Sequence, residues 1–299
     1  MSVDRFAAAQ AALNGGRLDE AASELIRTLS EEPEAPIGAY RQLAMTLFQL
    51  KDWERAEPWT KAGLARAPRD FDLMNLLGVV YRRMKRAPEA IATLNDALKL
   101  QPKNAAALSN LGNVYNDIKD ARAIDVFTKL VRQKPTEAEF QRQLGRAYWF
   151  QGDHQKAEMR LSLAVKLNSQ LVDGWLDLVA LAQETRDPAS VLQVLDRAIT
   201  ALPGSIRLAE ARAVALRRSS MLKEAEAYLE ELLKQHPNEA WIYYQLGGVV
   251  GDVQRERATE LLNRAIELAP QKLDYRLALA ENLSRARYGD EGDNVEQSY

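Results

Sequence analysis

Apolar residues recur at helical spacing along the chain, and one stretch near its middle shows the pattern most clearly. Leu108, Leu111 and Tyr115 are three and four residues apart, which places them on one face of an α-helix. A short polar break at Lys119 follows, and then a second stripe that ends before Pro135, since proline cannot donate the next helical hydrogen bond. The second stripe consists of Ala123, Ile124, Phe127, Leu130 and Val131. The pattern therefore predicts two antiparallel helices joined by a tight turn.

Prolines return along the whole chain at a nearly constant interval. They are Pro33, Pro68, Pro102, Pro135, Pro203, Pro237 and Pro270. The intervals are 33 to 35 residues, except for one of 68, in which Ser169 stands where a proline is missing. A period of this length is typical of a solenoid, in which each unit is a helix pair that buries its apolar face against its neighbours.

The repeating pattern predicts an all-α fold with seventeen helices and no strand. We expect a right-handed superhelix, or α-solenoid, of eight helix-turn-helix repeats and a C-terminal capping helix, in one array over residues 3–288. The predicted repeats are 3–36, 37–70, 71–104, 105–137, 138–171, 172–205, 206–239 and 240–272, followed by the capping helix 273–288 and a tail, 289–299.

A glycine recurs within the first helix of several repeats, although glycine costs about 1 kcal/mol relative to alanine in a helix interior. The examples are Gly78, Gly112, Gly145 and Gly247, each preceded by leucine. We expect each to mark a close approach of the second helix, with a small residue such as Ala90 or Ala123 on the other side.

The order Leu-Gly-x-x-Tyr, then Ala, then an aromatic residue or Leu, then Pro resembles the tetratricopeptide repeat. Repeat 4 matches it through Leu111, Gly112, Tyr115, Ala123, Phe127 and Pro135. The repeats are similar to the tetratricopeptide regions of bacterial glycosyltransferases and sulfotransferases and of O-linked N-acetylglucosamine transferases. The resemblance implies that the first helices line a concave surface that binds a peptide or protein segment.

Composition and charge exclude several other functions. The chain has 299 residues, a formal net charge of −2 and no cysteine, so no thiolate chemistry or zinc–thiolate site is available, and nothing global attracts nucleic acid or an anionic membrane. Its two histidines are isolated, and no catalytic or phosphate-binding motif is present. We expect no enzyme, no cofactor and no metal. With no signal peptide and no long apolar run, we expect a cytoplasmic protein.

Polar residues on the first helices of repeats 3 to 5 are the candidate binding site. Amides suit the backbone of an extended peptide, because each offers both a donor and an acceptor, and guanidinium groups suit a carboxylate. The competing interpretation is a merely solvated polar face. The candidates are Asn75 and Arg82 in repeat 3, Ser109, Asn110, Asn113 and Asn116 in repeat 4, and Arg142, Arg146 and Trp149 in repeat 5.

Specific roles follow for some of these residues. Asn110 and Asn113 are expected to hold the peptide backbone, Arg142 and Arg146 its negative charge, and Trp149 an apolar side chain. The resemblance adds that Asn113, Arg142 and Arg146 are similar to half of the carboxylate clamp of chaperone-binding tetratricopeptide domains. The basic run that begins at Arg82 is interpreted as helix-terminal cations that complement carbonyl groups, in preference to a nucleic-acid contact.

Three functions compete at this point. The first is a non-enzymatic scaffold that holds a protein or peptide with an acidic or carboxylate end, without nucleic acid or membrane. The second is the N-terminal, substrate-recruiting region of a larger bacterial glycosyltransferase or sulfotransferase. The third is self-association through the end helices, since an open solenoid can stack on a second copy.

Overall fold

The computed structural model describes residues 2–32 and 34–296, with the side chains of residues 6–32 and 34–284. Within these ranges the chain forms the seventeen predicted helices and no strand, which confirms the all-α solenoid class. The helices are α1 (Ser2–Asn14), α2 (Leu18–Glu31), α3 (Ile37–Gln49), α4 (Trp53–Arg66), α5 (Phe71–Arg83), α6 (Ala87–Leu100), α7 (Ala105–Asp117), α8 (Arg122–Gln133), α9 (Ala138–Phe150), α10 (His154–Leu167), α11 (Val172–Thr185), α12 (Pro188–Ala201), α13 (Ile206–Arg218), α14 (Leu222–Gln235), α15 (Ala240–Val250), α16 (Arg255–Leu268) and α17 (Leu273–Glu296).

The chain divides into two compact units, Met1–Leu167 and Asn168–Tyr299. In the first unit, α3 contacts α5, α5 contacts α7 and α7 contacts α9, whereas no second helix contacts the next second helix among the described residues. The first helices therefore lie on the inner side of this stack. In the second unit the same relation joins α11, α13, α15 and α17.

The start and the end of α7 show how local chemistry sets the bounds of a first helix. The Asn104 side chain accepts hydrogen bonds from the backbone N–H groups of Ala106 and Ala107, which caps the start of α7. At the other end Lys119 adopts a left-handed conformation, with φ of 55°, and turns the chain into the second helix. Lys51 and Lys85 have φ of 60° at the same place in their repeats. The turns therefore hold the Cα atoms of these lysines at equivalent positions in successive repeats.

The recurring glycines lie at close contacts, as the sequence predicts. A Cβ on Gly112 would stand 2.7 Å from two ring carbons of Phe127, and one on Gly145 would stand 2.8 Å from Leu161. The residue that packs against each glycine is therefore the large one four positions after the recurring alanine of the second helix, such as Phe127 after Ala123, and not the alanine side chain alone. The glycine makes room for that residue, and the pair fills the space between the two helices.

The last helix is longer than the sequence predicts. It runs from Leu273 to Glu296, whereas the capping helix was expected to end at residue 288. No proline follows Pro270, so no residue in this stretch lacks the N–H group that a continuing helix needs. Residues 297–299 of the predicted tail lie outside the described residues. No helix in the described part of the chain is long and apolar enough to cross a membrane.

Candidate functional site

A pocket of about 500 Å³ opens in the first unit, where the first helices of repeats 3, 4 and 5 end. Its volume falls in the range of sites that bind small ligands or single side chains of a partner. It is lined by Arg82, Arg83, Lys85, Ala87, Val114, Asn116, Asp117, Ile118, Lys119, Arg146 and Phe150.

The repeat architecture brings these cations together from three different helix pairs. Arg82 and Arg83 are in the last turn of α5, and Lys85 follows in the left-handed turn. Lys119 occupies the same turn one repeat later, and Arg146 comes from α9. Residues about one period apart lie next to each other in a solenoid, so Lys85, Lys119 and Arg146 converge although they are 27 to 61 positions apart in the sequence.

The positive charge at the pocket is mostly uncompensated. Arg82 donates two hydrogen bonds to the Asp117 carboxylate, at 2.6 and 3.2 Å. Asp117 is the only acidic residue that lines the pocket among those the structure describes. The side chains of Arg83, Lys85, Lys119 and Arg146 have no ion pair with a described residue. Four positive charges therefore remain after Arg82 and Asp117 have neutralised each other.

The helix ends reduce this charge but do not cancel it. Three helices end at the pocket, and each C-terminus carries about −0.5 of an elementary charge from its unsatisfied carbonyl groups. Their sum is well below the four cationic charges. The interpretation that these cations complement helix-terminal carbonyl groups therefore accounts for only part of the positive charge at the pocket.

The pocket also has an apolar wall. The Phe150 ring lies under two cations, with the Lys119 ammonium 5.6 Å and the Arg146 guanidinium 5.4 Å from its centroid. Ile118 is 46% exposed, which is high for a large aliphatic residue, and it also lines the pocket. Ala87 and Val114 complete the wall. A ligand for this pocket can therefore combine negative charge with an apolar group.

Asn116 adds an unmatched hydrogen-bond acceptor. Its side chain is 2% exposed, and its Nδ2 donates to the carbonyl oxygen and to Oε1 of Gln143, at 3.1 and 3.0 Å. These two acceptors fix the orientation of the amide. Its Oδ1 is buried and accepts no hydrogen bond from a described residue. A buried acceptor without a donor costs about 1–3 kcal/mol, and because this oxygen is closed to solvent, a ligand in the pocket does not reach it while the surrounding side chains keep these positions.

Several predicted residues lie on α5 and α7 outside the pocket lining. Asn110 Nδ2 donates to Asn75 Oδ1 at 3.0 Å, which joins the first helices of repeats 3 and 4. Ser109 and Asn113 are half-buried on α7, and their side chains make no hydrogen bond with a described residue. Asn113 and Asp117 are four residues apart, so this polar face of α7 leads directly to the pocket.

Arg142 and Asn116 are both buried and hydrogen-bonded within the chain, so the groove roles expected for them stay predictions. The Arg142 side chain is only 10% exposed, and it donates two hydrogen bonds, each of 2.9 Å, to the Glu139 carboxylate. Its guanidinium is thus buried and paired one helical turn away. Asn116 is buried and bonded to Gln143, so it is not part of an open peptide-binding face.

Trp149 lies next to the pocket without lining it. Its ring stacks on Phe150 with centroids 6.0 Å apart and an interplanar angle of 20°. The sequence interpretation missed Phe150, Lys85 and Lys119 as site residues. A signal existed for the two lysines, because they are 34 residues apart and hence at the same repeat position. Among the described residues, no three His, Cys, Asp or Glu side chains are grouped in a way that could hold a metal ion.

Comparison with known proteins identifies the repeat. Residues 6–71 match a family profile described as "Tetratricopeptide repeat", and residues 78–117 match one described as "TPR repeat". The TPR repeat-containing protein PA4667 of Pseudomonas aeruginosa is 26% identical over 156 residues. That alignment covers 52% of this chain and 26% of the relative, so the chain spans about a quarter of the length of the curated relative it matches.

Solved structures support the same fold. A tetratricopeptide repeat protein from Parabacteroides merdae is 15% identical, with a TM-score of 0.56 over 94% of this chain and 98% of that chain. The C-terminal part of a TPR repeat-containing protein from Cytophaga hutchinsonii is also 15% identical, with a TM-score of 0.56 over 92% and 99%. At this identity the similarity shows the fold alone. None of the three is named as a transferase.

Proposed function

Because this chain contains tetratricopeptide repeats, which generally serve as protein-interaction scaffolds, we propose that it is a non-catalytic scaffold for an acidic, extended protein segment. The observation that carries the proposal is the pocket with four unpaired cations and an apolar wall at the ends of α5, α7 and α9. The alternative of a recruiting region of a glycosyltransferase or sulfotransferase gains no support from the relatives, and the cytoplasmic location stays a prediction.

The segment would run along the polar face of α7 and end in the pocket. From Ser109 to Asp117 the helix rises about 12 Å, which corresponds to about four residues of extended peptide. Ser109 and Asn113 would bond the peptide backbone, beside the Asn75–Asn110 pair. Arg146, with the lysines of the pocket, would bind the acidic group.

The remaining predicted residues take supporting positions. Arg82 holds Asp117 at the pocket edge and keeps that carboxylate from repelling an anion. The Trp149 ring stacks on Phe150, and Phe150 itself would offer apolar surface to the ligand. The acidic group would then be bound at Arg146, one of the two arginines that the sequence indicated for it, and not at Arg142.

A pair of charge-matched variants tests the proposal. The pocket variant is Lys119→Ala with Arg146→Ala, and the control is Lys129→Ala with Arg132→Ala, two exposed cations on the second helix α8 without ion pairs to described residues. Retention of labelled degenerate peptides, either Asp/Glu-rich or Lys/Arg-rich, would be measured on the immobilised proteins. We expect the wild type and the control to retain the acidic library, and the pocket variant to lose about a hundredfold in affinity. Equal retention by the pocket variant and the control would refute the assignment.

The expected self-association involves a different surface and has its own test. Leu273 and Leu277, four residues apart on α17, are 63% and 52% exposed, so they form an apolar stripe on this helix. We propose that a second copy of the chain covers this stripe. Sedimentation equilibrium would show a dimer that is lost in Leu273→Glu, Leu277→Glu, and a monomer at all concentrations would exclude it.

A further inference from the structure

The pocket carries more positive charge than one carboxylate neutralises. Arg83, Lys85, Lys119 and Arg146 supply four charges without an acidic partner among the described residues, against about −1.5 from three helix ends. From this excess we propose that the pocket binds a phosphate monoester carried on a serine or threonine side chain of the partner segment. The inference rests on the proposed function and specifies the acidic group that this function leaves open.

The chemistry of the cations favours phosphate over carboxylate. A phosphorylated side chain carries about −1.5 to −2 at neutral pH and offers three strongly accepting oxygens. Arg146 and Arg83 can each donate two parallel hydrogen bonds to such oxygens, whereas Lys85 and Lys119 supply point charges from the two left-handed turns. A carboxylate has two oxygens and one charge, so it would leave most of these donors unmatched.

Ser109 and Asn113 favour a protein as the carrier of the phosphate. Both side chains lie on the face of α7 that leads to the pocket, and neither makes a hydrogen bond with a described residue. A peptide supplies backbone N–H and carbonyl groups next to its phosphorylated side chain. The backbone of a nucleic acid has phosphodiesters of single charge and no N–H group, so it fits neither the charge nor these side chains. Ile118 and Phe150 then offer an apolar contact to a neighbouring side chain.

Three degenerate peptide libraries that differ at one position test the inference. Each peptide has about eleven residues with a central serine, glutamate or phosphoserine, and binding to the intact chain is measured by fluorescence anisotropy near physiological salt. We expect phosphoserine to bind at least about tenfold more tightly than glutamate. The Lys119→Ala, Arg146→Ala variant should lose this preference, and the Lys129→Ala, Arg132→Ala control should keep it.

The outcomes separate the inference from the proposed function. If glutamate and phosphoserine peptides bind equally well and the pocket variant loses both, the scaffold function stands and the phosphate assignment is wrong. If neither binds, the proposed function fails as well. Inorganic phosphate alone, titrated as a competitor, should displace the phosphopeptide only weakly. Inorganic phosphate that binds as tightly as the phosphopeptide would overturn the assignment to a protein segment.

Discussion

The phenyl ring of Phe127 lies directly over Gly112, and a Cβ on this glycine would stand 2.7 Å from two of the ring carbons. Both residues are buried, so neither can move aside into solvent. The same relation joins Gly145 to Leu161, where the backbone carbonyl oxygen of Ala157 is also within 3.1 Å of the added Cβ. These contacts decide how tightly the two helices of a repeat approach each other.

Gly112→Ala should therefore destabilise the protein by about 1–3 kcal/mol, and Gly112→Leu or Gly145→Leu by more, because the added atoms overpack a closed interface. Chemical denaturation monitored by circular dichroism would measure the loss. Gly38→Ala is the matched control, since Gly38 is also helical but nothing lies within 4 Å of its added Cβ. We expect that change to raise stability by up to about 1 kcal/mol. Equal effects of the two substitutions would show that the contact is not close.

Lys85 offers a test in which stability and binding change in opposite directions. It has φ of 60°, a conformation that glycine adopts without steric cost, and its exposed side chain lines the pocket. Lys85→Gly should raise stability by about 0.5–1 kcal/mol and weaken binding of the acidic ligand. Lys85→Ala should weaken binding without the gain in stability.

Lys51 provides the control for this prediction. It has the same φ of 60° one repeat earlier and does not line the pocket. Lys51→Gly should stabilise the protein by a similar amount and leave ligand binding unchanged. A loss of binding in this variant would mean that the pocket is not the site.

Substitution of Arg142 should affect mainly the stability of the protein, and substitution of Arg146 should affect mainly the binding of the ligand. Arg142 is buried and bonded to Glu139, so Arg142→Met should destabilise the protein by about 1–3 kcal/mol. Adding Glu139→Gln should recover part of that loss, because it removes the carboxylate that is left without its partner. Arg146→Ala should weaken ligand binding with little effect on stability. Thermal melting and peptide titration of both variants would check this division.

The ion pairs of Glu57 should make the free energy of unfolding depend on pH. Hydrogen bonds from Lys61 and Arg86 lower the pKa of Glu57 from its usual 4.5, against an opposing effect of burial. Since the pKa of Glu57 is lower in the folded state, its contribution is fully present above about pH 4.5 and is lost as pH falls through the folded value. The Glu57 side chain is 14% exposed and joins repeats 2 and 3 through Arg86.

Glu57→Gln should cost about 1 kcal/mol at neutral pH, and the difference from the wild type should shrink below about pH 4. Melting temperatures between pH 3 and 7 would show this convergence. Glu260→Gln is the control, because Glu260 is exposed and has no ion pair with a described residue. A difference that persists unchanged at low pH would contradict the role of the ion pairs.

The fold could be predicted from the sequence because its determinants are local and repeated. The stripe of Leu108, Leu111 and Tyr115 defines a helix face, and Gly112 marks the close contact within one repeat. The candidate site depends on which charged side chains bond to each other, and the spacing of apolar residues along the chain does not predict those bonds. Arg142 was predicted to face a ligand, yet Glu139 one turn earlier on the same helix is its partner.

The pocket itself depends on the geometry of the turns. Lys85 and Lys119 enter it because both adopt a left-handed conformation, which is uncommon for lysine and not evident from its residue type. Arg82 and Arg146 were predicted as site residues and line the pocket, while Phe150 was missed because it ends α9 and appears from sequence as one more apolar position.

The apolar wall of the proposed site would give recognition a component that dissolved ions do not screen. Attraction between the exposed cations and an anion weakens as the ionic strength rises. Burial of an apolar side chain against Ile118 and Phe150 involves no net charge and persists at high salt. A plot of log affinity against log salt concentration should thus level off at a plateau. The slope would report the cations of the pocket, and the plateau would report the apolar wall.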